Sequence, residues 1–295
     1  MKLSAADKLV RTLIYIILSV LTFITFYPFW NSFVISLNSG ADTALGGVTF
    51  WPRDFTLNNY KVVFKESHIY DAYLITILRT LLGTLLSMFF TALFAYGLSR
   101  KGLIFKKFYT LFAVFTMFFN GGLIPYFIIV YELKLYNTFL FLLLHGLISV
   151  YNMIIFRTFF NQLPEGLEEA AKIDGCSNFG IFFRVVLPVS GPVIATLSLF
   201  TAVTLWNDWF IPAVFIQNQH LIPLQTLLVQ IINAGTTATL MTNLNSYAQS
   251  TIANTVTVKA LQMATMMVAT LPILCVYPFL QKYFVKGVMI GSLKE

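Results

Sequence analysis

Charge is what this chain has least of. Asp, Glu, Lys and Arg make up 11% of its 295 residues, against about 25% in an ordinary soluble domain. So few charges cannot shield a composition that is 58% hydrophobic, and that apolar content also excludes a disordered chain. Cysteine is almost missing. Cys176 and Cys275 lie far apart and form no CxxC pair, which argues against a disulfide scaffold or a zinc knuckle. The three histidines, His68, His145 and His220, are isolated, and no HExxH occurs. Neither GxxxxGK[ST] nor GxGxxG is present, so the chain shows no phosphate-cradling loop. The dispersed acids Asp42, Asp54, Glu66 and Asp71 have no metal spacing. No residue is read as catalytic or as a metal ligand. The class that remains is an integral membrane protein.

What is present is a series of charge-free runs: Thr12–Ala41, Thr80–Ser99, Phe108–Tyr131, Leu135–Phe156, Val185–Asn207 and Ala260–Gln281. About 20 apolar residues in a helix cross the hydrocarbon core, and the runs do not alternate as barrel strands would. They predict an all-α membrane protein with six transmembrane helices near 12–36, 73–98, 108–131, 138–157, 189–215 and 262–282. The first span has a basic flank, but it is long and ends in Phe29-Trp30-Asn31 without an A-x-A-like site. It reads as an uncleaved helix. The stretch 209–258 also lacks formal charge. Pro212, Pro223 and a Thr/Asn/Ser/Gln-rich second half make it an outside loop with a short interfacial helix near Leu224–Ile232 rather than a seventh span.

The net charge of +7 has two readings, a nucleic-acid groove or an orientation code, and position decides between them. With six spans, one side receives Lys2, Lys8, Arg11, Arg100, Lys101, Lys106, Lys107, Arg157, Lys172, Arg184, Lys282, Lys286 and Lys294. The other side receives only Arg53, Lys61, Lys65, Lys134 and Lys259. Both termini are therefore expected in the cytoplasm, with outside loops at 37–72 and 216–261 and no nucleic-acid partner.

The cytoplasmic loop 158–188 carries the densest signal. Pro164 can open a helix. Glu165, Glu168 and Glu169 then favour its first turns, and Glu168 and Lys172 stand at i,i+4. Leu167, Ala170, Ala171 and Asp174 share a face of low relief, Gly175 fits a left-handed stop, and Ser177 or Asn178 can cap a second helix. A short helix held parallel to the membrane between spans four and five suits docking into a cytoplasmic protein. The plain alternative is an amphipathic loop lying on headgroups.

Here the sequence resembles a known family. Glu169-Ala170-Ala171 with Gly175, followed after nine residues by Val185-Val186-Leu187-Pro188, matches the EAA signature of ABC-importer permeases, with Val185 where the pattern has Ile. The Ile173-Asp174-Gly175 variant is similar to the carbohydrate-uptake branch typified by the six-span maltose permease. Asn120-Gly121-Gly122-Leu123-Ile124-Pro125, Trp206-Asn207-Asp208 and Lys282–Gly287 are similar to a sub-branch handling complex oligosaccharides such as alginate and pectin fragments. The resemblance implies a type I importer fold in a bacterial inner membrane. It makes Glu169, Ala170, Ala171, Asp174, Gly175 and Pro188 part of a coupling helix seated in an ATPase. The implied partners are a homologous second permease, two ABC ATPase subunits, an extracellular solute-binding protein, an oligosaccharide and the lipid bilayer. ATP and Mg would be bound by the ATPases, with no cofactor in this chain, and the tail 285–295 could reach the ATPases.

Polar groups within spans are functional candidates. Trp206, Asn207, Asp208 and Trp209 combine an acid and an amide with aromatic faces, as a sugar path would. The competing reading is an interface belt with Asp208 at the headgroups. Asn120 with Gly121 and Gly122 either lines a cavity through a broken helix or marks a packing kink. Asn152 is a further path candidate. Arg79 either snorkels to an interface or caps an interhelical polar cluster, and His145 reads as an interhelical hydrogen-bond partner. Two rivals are an ion-coupled secondary transporter, which usually carries several intramembrane acids, and a multipass membrane enzyme, which needs clustered titratable groups.

Overall fold

A computed structural model describes residues 5–65, 67–233, 257–272 and 274–275. Lys2, the polar stretch 234–256, the later part of the sixth expected span, the Lys282–Gly287 motif and the tail 285–295 lie outside the described residues. The described residues are helical, with no strand beyond an isolated bridge between Asn38 and Phe55. They fall into two units. One combines the residues up to Ile69 with those from Leu228 to Pro272, and the other runs from Tyr70 to Leu227 with 274–275.

The first unit opens with α1 (Ala5–Ser36), which carries Pro28 in its interior. Apolar side chains such as Leu13, Ile17, Leu21 and Ile24 stand out from it on every side, about half exposed. A helix in an apolar surrounding owes its form to hydrogen bonds within its own segment, and here Pro28 removes one donor from that ladder. Its end is stitched to the segment that follows. The Trp30 indole donates to Phe50 O at 2.9 Å, and Asn31 Nδ2 to Val48 O at 2.9 Å. Asn38 is fully buried. Its amide donates to Asp42 and Thr43 and its carbonyl accepts from Asp54 N, so one side chain fixes the turn into α2 (Gly40–Leu45). In α3 (Asn58–Lys65), buried Asn59 donates to Ser36 O and Asn38 O at 2.9 Å each. The helix 258–272 presents Ala260, Ala264, Thr265 and Ala269, all essentially inaccessible, so small residues again mark a close approach.

The second unit is organised by α4 (Ser67–Ser99). The expected spans near 108–131, 138–157 and 189–215 are all broken, the first at the Asn120-Gly121-Gly122 run that marks an interruption in the sequence. The first is α5 (Lys106–Phe118) and α6 (Leu123–Glu132), bent by 113°. The second is α7 (Phe139–Leu144) and α8 (Val150–Phe160), parted by Gly146 at φ 75°. After α9 (Glu165–Ile173), α10 (Asn178–Ile181) runs through a π-helical turn (Phe182–Val186) into α11 (Leu187–Val189). The chain then turns by 82° into α12 (Gly191–Asn207) and breaks again before α13 (Phe210–Phe215). Runs of low charge show that a segment prefers lipid. They do not show whether it is one helix or two, because a neighbour can satisfy the freed backbone groups.

That neighbour is α4. Its buried polar residues Thr76, Arg79, Ser87 and Thr91 recur at helical spacing on one stripe. Thr76 Oγ1 accepts from Leu224 N at 2.8 Å. Arg79 meets the break after α12. Ser87 donates to Gly146 O at 3.3 Å, and Thr91 donates to Leu147 O while accepting from Ser149 N at 3.2 Å, which serves the break between α7 and α8. Gly83 sits on the same stripe. A Cβ there would lie 2.9 Å from Leu205 Cδ1, so α12 packs close against it.

Candidate functional site

The helix α9 is delimited by its ends. Pro164 stands one position before the helix, at the N-cap with ψ 129°. At the other end Gly175 N donates to Lys172 O at 3.0 Å and Cys176 N to Ala171 O at 2.9 Å, with Gly175 at φ 78°. This pair of bonds is a Schellman closure, which needs the left-handed residue that glycine supplies without strain. Asp174 is the C-cap residue and is exposed. Ser177 then caps α10, its hydroxyl accepting from Gly180 N at 3.2 Å.

The acids of α9 separate in role. Glu168 does not take Lys172 as its partner. It forms an ion pair with Arg100 from the turn after α4. Arg100 is held ready, its guanidinium 4.1 Å from the Tyr96 ring centre and bonded to Ser99 Oγ at 3.0 Å. A preset planar fork outcompetes a flexible surface lysine. Glu169 stays exposed. The two alanines also divide: Ala170 is exposed, whereas Ala171 is 8% exposed and packs in the core with Ile181, Phe182 and Val186. The outward low-relief surface of α9 is therefore Glu169, Ala170 and Ile173, the last 86% exposed. Pro188 lies exposed in α11, past the π turn.

The candidates around residue 208 come together at the end of α12. Asp208 is a paired acid. Arg79, with no exposed side-chain surface, places Nη2 2.5 Å from Asp208 Oδ2 and Nη1 3.2 Å from Asp208 O. Of the two readings of Arg79, it is the interhelical cap. The other carboxylate oxygen accepts from Ile211 N at 3.3 Å and so starts α13. Trp209 is 44% exposed, and its carbonyl accepts from Thr226 at 3.0 Å. Asn207 is exposed, with its amide bonded back to Val203 O at 2.8 Å. The Trp206 indole N–H is buried without a hydrogen-bond partner, as are Arg79 Nε and the hydroxyls of Thr80 and Thr84 on α4. Buried polar groups are usually hydrogen-bonded, so these are exceptions among the described residues.

The other candidates stand apart. Asn152 is buried and donates to Thr201 Oγ1 at 3.1 Å, tying α8 to α12. Asn120 is exposed in the α5–α6 turn, where Oδ1 accepts from Gly122 N at 2.9 Å. A Cβ on Gly121 would meet nothing within 4 Å, so close packing among the described residues does not explain this break. His145 Nδ1 lies 2.9 Å from the Tyr126 hydroxyl, an interhelical hydrogen bond. Sequence reasoning missed Arg100, Thr76, Ser87 and Thr91. The last three had a signal, polar residues repeating on one face of an apolar helix. Arg100 had none, because its partner is set by tertiary contact.

Comparison with known proteins gives a consistent outcome. The family model described as "Binding-protein-dependent transport system inner membrane component" matches residues 1–290. The chain is 38% identical over 288 residues to the polygalacturonan/rhamnogalacturonan transport system permease protein YtcP of Bacillus subtilis, covering 98% of this chain and 99% of that protein. It is 40% identical to Protein LplC of the same organism, covering 92% and 90%. Among solved structures, a chain of a bacterial ABC transporter involved in the import of the acidic polysaccharide alginate superposes with a TM-score of 0.84. That match has 28% identity and covers 96% of this chain and 99% of the other.

Proposed function

The chain belongs to the family of binding-protein-dependent transport system inner membrane components, and on that premise we propose that it is a permease subunit of an ATP-driven importer of oligosaccharides or polysaccharide fragments. The observation that carries this reading is full-length similarity to a permease whose name gives polygalacturonan and rhamnogalacturonan as cargo, joined to a superposable alginate importer chain. In this reading the chain crosses a bacterial inner membrane six times with both termini in the cytoplasm, counting each bent helix pair as one span. It works with a second permease, two ATPase subunits and an extracellular binding protein. ATP and Mg belong to the ATPases, and no catalytic step falls to this chain.

The mechanism follows from α9. Its rigid ends and exposed Glu169, Ala170 and Ile173 form a knob that an ATPase groove can hold, with Gly175 and Asp174 setting the turn behind it. The pair between Glu168 and Arg100 ties the knob to the end of α4. Motion of α9 therefore reaches Arg79 and Asp208 along a continuous helix. Closure of the ATPases is then the bias that shifts a two-state permease pair. Asp208, Trp206, Asn207, Trp209, Asn120 and Asn152 remain the candidates for the sugar path, with Asp208 acting as part of a charge pair.

The test is assembly and transport of the reconstituted importer with Glu169→Lys. The side chain is exposed, so the fold should persist while ATPase association and ATP-driven sugar uptake fall. Unchanged uptake and association would remove α9 from coupling. Uptake that depends on an ion gradient and persists without ATP would favour a secondary transporter instead.

A further inference from the structure

His68 and Asp71 stand three positions apart at the start of α4, so one face of that helix carries both. The helix is continuous through them and fixes their spacing by itself. His220 comes 149 positions after Asp71, yet its Nδ1 lies 2.6 Å from Asp71 Oδ2. One ligand atom from each of the three side chains falls within 4.8 Å of the other two. Two imidazoles and a carboxylate thus converge on one point, a grouping that the chain separation hides from sequence reading.

The turn that presents His220 is fastened on both sides. Gln219–Leu221 is a single 3-10 turn, and Asn218 Oδ1 caps it by accepting from His220 N at 3.0 Å. Asn137 Oδ1 accepts from Gln217 N at 2.9 Å and from Asn218 N at 2.8 Å. Past the turn, Ile222 is buried and Leu224 N donates to Thr76 Oγ1 of α4 at 2.8 Å. The backbone around His220 is therefore set, and what stays adjustable is its side chain, 71% exposed.

An isolated surface pair of Asp71 and His220 would stabilise little and would have no use for His68. The third side chain makes a ligand set. Mg2+ and Ca2+ take oxygen ligands, of which the set supplies only the carboxylate. Two imidazoles with one carboxylate suit a borderline divalent ion such as Zn2+, whose three-ligand sites leave a fourth position to water. With zinc–nitrogen bonds of about 2.0–2.1 Å, tetrahedral ligand atoms stand roughly 3.3 Å apart. Rotation of the exposed His220 ring brings the three atoms to that spacing.

We propose that His68, Asp71 and His220 bind one Zn2+ ion, which takes the place of the Asp71–His220 hydrogen bond and staples segment 217–224 to the start of α4. In the six-span reading the site faces the outside, away from α9. The ligand set itself does not depend on that reading.

The experiment is calorimetric titration of Zn2+ into the full-length chain, purified in detergent with a tag that contains no histidine. One tight Zn2+ per chain is expected. His68→Gln, Asp71→Asn and His220→Gln should each weaken binding about tenfold or more. Asp54→Asn, which removes another exposed acid, should leave it unchanged. Saturating Zn2+ should raise the melting temperature of the native chain and slow hydrogen exchange at residues 217–224, and should do neither in His220→Gln. Absence of a zinc-dependent shift in the native chain overturns the site without recourse to any variant. Native-like zinc affinity in His68→Gln also overturns it, leaving an ordinary surface pair. Displacement of Zn2+ by equimolar Mg2+ overturns the choice of ion. Neither ATP nor sugar enters the assay, so failure of this site and failure of coupling through α9 give different results.

Discussion

The two longest helices, α1 and α4, are alike in length and apolar character and opposite in use. Both pass as single membrane crossings. The most apolar 18-residue window of α1 has none of its residues buried, whereas 44% of the corresponding window in α4 is buried. The hydroxyls along the apolar body of α1 bond to their own helix: Thr22 to Leu18 O, Thr25 to Leu21 O and Ser32 to Pro28 O, with bonds to other segments only from its last turns. Those of α4 reach outward, to the breaks in neighbouring helices. Hydropathy sets what can enter a membrane. The direction of a few hydroxyls and one guanidinium sets which helix becomes the axis of a unit.

The sharpest way to break this contrast is Arg79→Leu. It leaves Asp208 charged and half-enclosed, and removing one partner of a buried pair costs about 3–5 kcal/mol. The expected result is a large fall in melting temperature of the detergent-purified chain, or failure to accumulate. The double change Arg79→Leu/Asp208→Leu should recover much of the loss, since no charge is then stranded. A native-like melt for Arg79→Leu alone would mean that the pair is incidental.

Next in size is Gly83→Val. The added methyl groups would run into Leu205, and overpacking costs about 1–3 kcal/mol. Leu205→Ala in the same chain should restore part of it, because the far end of that side chain is what the new atoms meet. Thr91→Val comes third. It removes the partner of Leu147 O and Ser149 N at the α7–α8 break, and interhelical bonds of this kind are worth about 0.6–2 kcal/mol. Faster hydrogen exchange at residues 145–149 would locate the effect.

The smallest expected effect is in α1. Leu21→Ala should move the stability of the separately purified chain by less than about 0.5 kcal/mol, because that side chain stands 52% exposed among the described residues. If the same change lowers the melting of the assembled importer by more than this, α1 has a protein partner there.

Much of the helical content was legible because lipid demands long apolar runs, and α1 and α4 follow those runs closely. The breaks were half legible. Asn120-Gly121-Gly122 announces an interruption in residue type. The break at Gly146 does not stand out, because a lone glycine in an apolar run can equally well be a packing contact. In the candidate site, the stop at Gly175 and the cap at Ser177 could be read locally, since both depend on neighbours within a few residues. That Ala171 turns inward while Ala170 stays out could not be read, because adjacent residues differ only by the direction of the rest of the fold.

The sequence by itself determined that this chain belongs in a membrane, in which segments its basic residues cluster, and where α9 starts and stops. Each of these is a property of composition or of short-range bonding. Only the tertiary structure decided that Asp208 is a paired acid, that Arg100 rather than Lys172 holds Glu168, and that α4 rather than α1 serves the broken helices. Those outcomes depend on partners such as Arg79 and Asp208, 129 positions apart, and only packing brings such residues within hydrogen-bond distance.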